Sequence, residues 1–304
     1  MRIRLVLGLA LATAALAACS STSSTEETNS LVIGAFNFTE SQILAEVYAG
    51  ALAAKGYDVS ITASTNREVL APALESGEVQ MVPEYLGTFT EFLNIKENGP
   101  DAAAVASSDV EATLTQGQAL AEKVGVTLLT PSPAANQNAF AVRGDFATEF
   151  GLVTMSDLAA LSETMDIRLG GPPECPQRPF CQPGLEGTYG MKIAEFVPLD
   201  AGGPLSKTAL SQGSIDVSLI FSSDGGVEAN GFVVLVDDLG LQQVDNIVPA
   251  VVSSAVTPEL TTILNAVSAA MTTNELIAMN KAVDLDRRKP ADVAAEFLAA
   301  KGLV

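Results

Sequence analysis

The segment Leu74-Glu75-Ser76-Gly77-Glu78-Val79-Gln80-Met81-Val82-Pro83-Glu84-Tyr85 has a counterpart in Leu210-Ser211-Gln212-Gly213-Ser214-Ile215-Asp216-Val217-Ser218-Leu219-Ile220-Phe221. Gly213 lies 136 residues after Gly77, as Phe221 does after Tyr85. Both stretches run from a helix ending in Leu-x-x-Gly, through a short strand of alternating apolar residues, to an aromatic side chain. A helix–strand unit repeated at constant offset predicts two similar α/β half-chains; the alternative is a chance likeness of two α/β units. Ligands of open α/β sheets bind beyond the carboxyl ends of the strands. Two half-chains facing each other would therefore put Tyr85 and Phe221 on opposite walls of one cleft.

Strand-like and helix-like segments alternate around this unit, which signals α/β layering. Leu31-Val32-Ile33-Gly34-Ala35 is an apolar run of the kind buried in parallel sheets. A helix of period 3.6 follows through Ile43, Leu44, Val47, Tyr48 and Leu52. Thr39 is its expected N-cap with Gln42 at the capping-box position, and Gly56 its stop. Further strands are expected at residues 59–62, 79–82, 126–129, 138–142, 167–169, 215–220 and 232–235. Helices are expected at 67–75, 113–123, 155–161, 185–195 and 204–212. A strand-like run at 247–252 then leads into helices at 258–271, 273–284 and 290–301.

The first residues have the three parts of a secretory signal: basic Arg2 and Arg4, an apolar segment at 5–15, and small residues before a cut site. The apolar segment is too short to span a bilayer. Leu16-Ala17-Ala18-Cys19 resembles the lipobox of bacterial lipoproteins, which implies cleavage before Cys19 and a diacylglycerol chain on its sulfur. The alternative is an ordinary signal peptide with an incidental cysteine. Residues 19–30, rich in Ser, Thr and Glu, read as a flexible tether. The chain is thus expected to be held at a membrane surface from outside the cytoplasm.

The formal charge is −20, and loss of residues 1–18 with Arg2 and Arg4 takes it to −22. Such acidity speaks against nucleic acid as a partner, because phosphate binding needs clustered Lys and Arg. The chain has no histidine and no tryptophan. Most catalytic triads, zinc sites and general-base schemes therefore lose their usual residue. Cys175 and Cys181 flank a Pro-stiffened loop in a secreted context, where thiols oxidise. With no partner Cys or His they make a poor metal site, so a local disulfide is the better reading. Its contribution to global stability is at most about 2 kcal/mol for so short a loop; its greater effect is to hold Arg178 and Phe180 in one orientation. No cofactor and no metal are expected.

Aromatic residues are 5% of the chain, yet several fall in the few loops after strands. Phe36, Tyr85 and Phe221 sit where elements end rather than on a periodic core face, whereas Phe38 and Tyr189 read as core. A cluster of π faces without a crowd of basic residues suits a quaternary ammonium, a cation that donates no hydrogen bond. The alternative is that each ring packs a lobe edge.

Four motifs together resemble the osmoprotectant branch of ABC-transporter substrate-binding proteins. They are Gly34-Ala35-Phe36-Asn37-Phe38-Thr39-Glu40; Ser76-Gly77-Glu78 with Pro83-Glu84-Tyr85-Leu86-Gly87-Thr88; Gly184-Leu185 with Tyr189-Gly190; and Phe221-Ser222-Ser223-Asp224-Gly225. The resemblance covers almost all of the chain from Leu31 onward. It implies an α/β, two-lobed type II periplasmic-binding-protein fold, each lobe a mixed sheet flanked by helices, joined by two crossing strands. The crossings would fall near 138–142 and 247–251. Lobe 1 is then 31–136 with 252–304, and lobe 2 is 137–251 including the hinge strands.

The resemblance also implies that Tyr85 is a cage tyrosine and Thr88 a carboxylate-contacting threonine, and that Phe221 stands where some members have tyrosine. Two departures matter. Asn138 replaces a cage aromatic before the hinge strand, and Phe36 replaces a lysine before Asn-Phe-Thr-Glu. The pocket is expected to be rebuilt, with Phe36 adding a face and Asn136 and Asn138 adding hydrogen bonds. Arg178 is the candidate to grip a ligand carboxylate bidentately; its alternative is a solvent-facing role. Arg67 and Arg143 are expected in surface or inter-element pairs, and Glu40, Glu84 and Asp224 as caps or hinge acceptors. The expected ligand contacts are Phe36, Asn37, Tyr85, Thr88, Asn136, Asn138, Arg178 and Phe221.

A monomeric solute-binding protein follows. It would capture glycine betaine, choline or a similar quaternary ammonium and deliver it to an ABC permease with its ATPase subunits. The rival ligand is another small polar or aromatic solute. The rival functions are a sensor or adhesin lipoprotein on the same fold, and an enzyme using Ser222, Ser223 or Asp224, which no Gly-x-Ser-x-Gly elbow supports.

Overall fold

A computed structural model describes residues 29–304; the expected signal peptide, Cys19 and nearly all of the tether lie outside the described residues. The first half holds β1 (Ser30–Phe36), α1 (Thr39–Ala53), β2 (Asp58–Ser64), α2 (Arg67–Ser76), β3 (Met81–Tyr85), α3 (Leu86–Asn98), α4 (Val110–Lys123) and β4 (Val126–Leu128). The second body holds β5 (Asn138–Arg143), α5 (Gly144–Phe150), α6 (Met155–Leu161), β6 (Ile167–Gly171), α7 (Gln182–Tyr189), β7 (Ile193–Pro198), α8 (Pro204–Ser211), β8 (Val217–Phe221) and β9 (Phe232–Val234). The chain then returns through β10 (Ile247–Val252) to α9 (Pro258–Ala270), α10 (Thr273–Asp284) and α11 (Pro290–Lys301).

Two five-stranded sheets result, in the orders β2-β1-β3-β10-β4 and β7-β6-β8-β5-β9. In each, three strands are parallel and a strand next to one of the two crossings pairs antiparallel beside the third: β10 on β3, and β5 on β8. The sequence echo is therefore structural. β3 and β8 occupy equivalent places, and Tyr85 and Phe221 are their last residues. Gly77 and Gly213, which end the preceding helices, both have positive φ, 76° and 68°, where a side chain is strained.

Each sheet has its own core. Helices α9–α11 close the first, with Leu264, Val267, Leu276, Phe297 and Leu298 packed among Ile33, Leu44, Tyr48 and Met81. Tyr48 is fully buried and its hydroxyl shares a hydrogen bond with Ser268 at 3.0 Å. Such a group needs that partner, since burying it unpaired costs on the order of 1–3 kcal/mol. The second core gathers Phe140, Phe146, Met155, Leu169 and Leu219 around the Cys175–Cys181 disulfide.

The structure shifts three expectations. Ile247–Val252 is a full member of the first sheet, with every residue buried, so it belongs to lobe 1 and not to lobe 2. The chain crosses earlier, where Ala135 bridges Asn246 and the Asn136 amide N–H donates to the Asp245 carbonyl at 3.0 Å. The expected helix at 185–195 stops at Tyr189, because Gly190 turns left-handed (φ 66°), and an edge strand, β7, follows. Edge exposure gives β7 a mixed pattern that blurs its period. Finally, Thr39 does not cap α1. Phe38 is the N-cap residue, without a side-chain bond, and the Thr39 hydroxyl instead donates to Asp284 on α10 at 2.6 Å.

Gly87, in the first turn of α3, permits the second crossing to pass. A Cβ there would stand 2.2 Å from the Val244 carbonyl oxygen. Gly87→Ala is expected to lose about 1–3 kcal/mol, the range for overpacking against backbone. Denaturant unfolding checks this, and an unchanged midpoint would disprove the close approach.

Candidate functional site

A cleft of about 720 Å³ opens between the carboxyl ends of the two sheets' strands. All eight expected contacts line it, but they do different things there. The aromatic group is built around Phe38, the residue read from the sequence as core. Its ring centroid lies 6.1 Å from Phe36, 6.1 Å from Tyr85 and 5.2 Å from Phe221. Phe38 is half-buried on the short link between β1 and α1. Since Phe221 ends β8, the Phe38–Phe221 contact joins the two bodies. The sequence carries a signal for Phe38, which stands in the short link after a strand. Its place beside the helix start, however, points to packing.

Tyr85 is held by its tip. Its hydroxyl donates to Glu40 Oε1 at 2.9 Å. Burial, and then the negative charge of Glu40, push the phenol well above its ordinary value, so it stays protonated. The Glu40 carboxylate is itself a junction, 3% exposed. Asn136 Nδ2 donates to Oε1 at 2.7 Å, while Ser223 Oγ and Asn280 Nδ2 donate to Oε2 at 2.5 and 2.7 Å. The four donors come from β3, the first crossing, the second body and α10. Glu40 thus matches its expected place as a hinge acceptor. The amide of Asn136 is engaged within the protein, its oxygen accepting the Ser223 N–H at 3.3 Å. Asn138 Nδ2 donates to the Phe180 carbonyl at 3.1 Å and so secures the disulfide loop. Asn37 is exposed at the rim.

Arg178 is not free to take a ligand carboxylate, contrary to expectation. Its guanidinium faces Glu68 at 3.0 Å and Glu174 at 3.4 Å. Glu68 lies in the first turn of α2, so this pair spans the cleft mouth. Burial pushes the Glu68 carboxyl up, and Arg178 more than reverses this, leaving it below its ordinary value. The pairing is long-range, 110 residues apart, and no local pattern announces it.

Arg67, expected in a surface or inter-element pair, makes the inter-element one, joining α2 to β3, and is buried in the site at 5% exposure. Its Nε and Nη2 grip Glu84 at 3.0 and 2.7 Å, and Nη2 also reaches Thr88 Oγ1 at 3.0 Å. The guanidinium stands 5.7 Å from the Phe36 ring centroid, which occupies that ring with a protein cation. Next to this pair is Asp245, on the second crossing and missed by the sequence reading. It is 5% exposed and accepts the Thr88 N–H at 3.0 Å. Burial pushes its carboxyl up to about 7, against the downward pull of the Thr88 N–H and Arg67.

The sign of that shift fixes a pH dependence. The folded protein takes up a proton near pH 7 that the unfolded chain, with an ordinary carboxyl of 3.8, does not. This group therefore favours folding increasingly as pH falls from 8 to about 5. Asp245→Asn, which keeps an acceptor for Thr88, is expected to be more stable than the parent at pH 8, on the order of a few kcal/mol. The difference should shrink toward pH 5. Chemical melts at the two pH values measure it, and equal offsets at both would refute the buried charge.

A family model described as the substrate-binding domain of ABC-type glycine betaine transport systems matches residues 29–300. A glycine-betaine-binding protein of Pseudomonas aeruginosa is 29% identical over 97% of this chain and 94% of its own length. The glycine betaine-binding protein YehZ of Escherichia coli is 29% identical over 77% of this chain and 78% of its own. Among solved structures, one described as a glycine betaine/carnitine/choline ABC transporter is 25% identical with a TM-score of 0.67, covering 90% of this chain and 99% of that one.

Proposed function

The chain belongs to the family of substrate-binding domains of ABC-type glycine betaine transport systems, which bind solutes and are not enzymes, and we propose that it captures a small quaternary ammonium between its two lobes. The closed complex is then offered to a membrane permease powered by its ATPase subunits. One observation carries the choice of ligand: rings from both bodies, Phe38 and Tyr85 from one and Phe221 from the other, meet in a single cleft. An alkylated ammonium donates no hydrogen bond, so π faces serve it where neutral hydrogen-bond acceptors would not.

Closure follows from the same arrangement. A ligand shifts an open–closed equilibrium only by its differential affinity for the closed state, so it must touch both lobes. Tyr85 and Thr88 supply contacts from one side and Phe221 from the other. The Arg178–Glu68 pair across the mouth adds a contact made only when the lobes approach. Being partly exposed, it is worth little alone.

We assign the chain a monomeric state and a lipid on Cys19, with residues 19–30 as tether. The lipobox-like Leu16-Ala17-Ala18-Cys19 supports the lipid, and among the described residues no helix is long and apolar enough to cross a membrane. Cys19→Ser is expected to release the protein from the membrane fraction and to abolish labelling by a fatty-acid analogue. Retention of both label and membrane association would refute lipidation there.

A thermal-shift series with betaines, choline, carnitine, proline and polar aromatics tests the ligand class, since a solute bound only by the native state raises its melting point. At least one quaternary ammonium is expected to shift it, and proline is not. Tyr85→Ala should then weaken that solute by roughly 1–2 kcal/mol, whereas Tyr85→Phe, which keeps the ring but loses its tie to Glu40, should weaken it less. Equal affinity of Tyr85→Ala and parent in calorimetry would remove the ring from the site.

A further inference from the structure

Three cations line the cleft: Arg67, Lys96 and Arg178. Each is already paired within the protein. Arg67 is clamped by Glu84, Lys96 meets Glu75 at 2.5 Å, and Arg178 lies between Glu68 and Glu174. Three carboxylates of the lining, Glu91, Asp200 and Asp245, form no ion pair among the described residues. Glu91 accepts from Asn94 Nδ2 and the Val105 and Ala106 N–H groups, and Asp200 from the N–H groups of Gly203, Leu205 and Ser206. The Asp245 carboxylate accepts only from Thr88, through its N–H and its hydroxyl. It is 5% exposed and faces the cleft. Its cationic neighbour, Arg67, is already gripped by Glu84; a buried carboxylate so weakly compensated is costly, and a protein that keeps one at a binding cleft has a use for the charge.

Resting on the quaternary-ammonium reading above, we propose that the preferred solute is a net cation with no acid group of its own, an alkylammonium alcohol of the choline kind, whose counter-charge is Asp245. A zwitterion brings a carboxylate as well, and the cations of this cleft are already engaged while Asp245 adds an anion with few donors of its own. The rings Phe38, Tyr85 and Phe221 hold the alkyl shell of either solute equally. Discrimination therefore falls to charge, through Asp245 on the second crossing.

Asp245 faces Arg67 from α2, Glu84 and Tyr85 from β3, and the first turn of α3 through Thr88. Burial pushes its carboxyl up to about 7, so protons compete with the cation in the neutral range. The ionised fraction of such a group rises from about a tenth at pH 6 to about nine tenths at pH 8. Choline affinity is thus expected to rise about tenfold over that interval. The chain has no histidine to produce the same profile.

Calorimetric titration of the protein and of Asp245→Asn, with choline and with glycine betaine at pH 6 and pH 8, tests this. Choline is expected to bind at least about tenfold more tightly than glycine betaine to the parent at pH 8, one pKa unit of interaction. Asp245→Asn, which retains the cap on Thr88, should lose that preference and the pH dependence together, with its ligand-free melting point at pH 8 no lower than the parent's. Glycine betaine binding as tightly as choline would overturn the inference while leaving the quaternary-ammonium reading intact; this is the result if the remaining Nη1 of Arg67 receives a ligand carboxylate. Choline affinity flat between pH 6 and 8 in the parent would overturn it even if the variant failed to fold. Binding of neither solute would overturn the underlying reading and the inference with it.

Discussion

The Glu40 carboxylate is the point through which the two halves hold each other. A buried charge is tolerated only where donors replace its water. Here the donors come from Tyr85, Asn136, Ser223 and Asn280, as far as 240 residues away in sequence. Losing any one leaves a charged acceptor under-satisfied, at a cost greater than that of a neutral bond. Ser223 follows β8 in the second body and Asn136 lies in a crossing, so the knot sits where the chain passes between bodies. Relative rotation of the bodies displaces atoms in proportion to their distance from the crossings. Bonds at Glu40 are strained least, and the Arg178–Glu68 pair at the mouth is broken first.

The same carboxylate sets the geometry of recognition. By fixing the Tyr85 hydroxyl it fixes that ring against Phe38, and Phe38 in turn meets Phe221 from the other body. The Phe221 ring has no such polar tip; it is half-buried and is held by its place at the end of β8 in the second sheet. A rigid wall on one side and a mobile face on the other is what a clasp for a compact, non-donating cation requires. The disulfide loop supports the mobile side: the Phe180 carbonyl accepts from both Asn138 and Gln242, so the Cys175–Cys181 bridge is joined to both crossing paths.

Much of the fold was legible because period and punctuation are local properties. The repeated Leu-x-x-Gly unit predicted β3 and β8 with their terminal aromatics, and the three closing helices matched their apolar spacing. What sequence could not supply was pairing. Arg178 looked like a free guanidinium until Glu68, far away in the chain, was placed opposite it. Asp245 carried no signal because it lies in an irregular crossing, where no period marks a residue as buried. Edge strand β7 is hidden for a different reason, its mixed burial pattern, and Phe38 because a ring beside a helix start most often packs the core.

The repeat is most informative where it breaks. At the constant offset, Glu84 of β3 corresponds to Ile220 of β8, and Arg67 corresponds to Gly203. The first body thus holds a buried ion pair at a level where the second holds an apolar side chain and none at all. A buried pair adds little to stability against an apolar substitute of like volume, so stability alone does not explain its presence in one half. Its effect is positional. Arg67 braces Thr88, Thr88 presents its N–H to Asp245, and Gly87 lets the second crossing come close enough to bring that carboxylate into the cleft. Two similar halves have in this way taken separate tasks, charge on one wall and an apolar ring on the other. That division suits a ligand which is itself a charge wrapped in methyl groups.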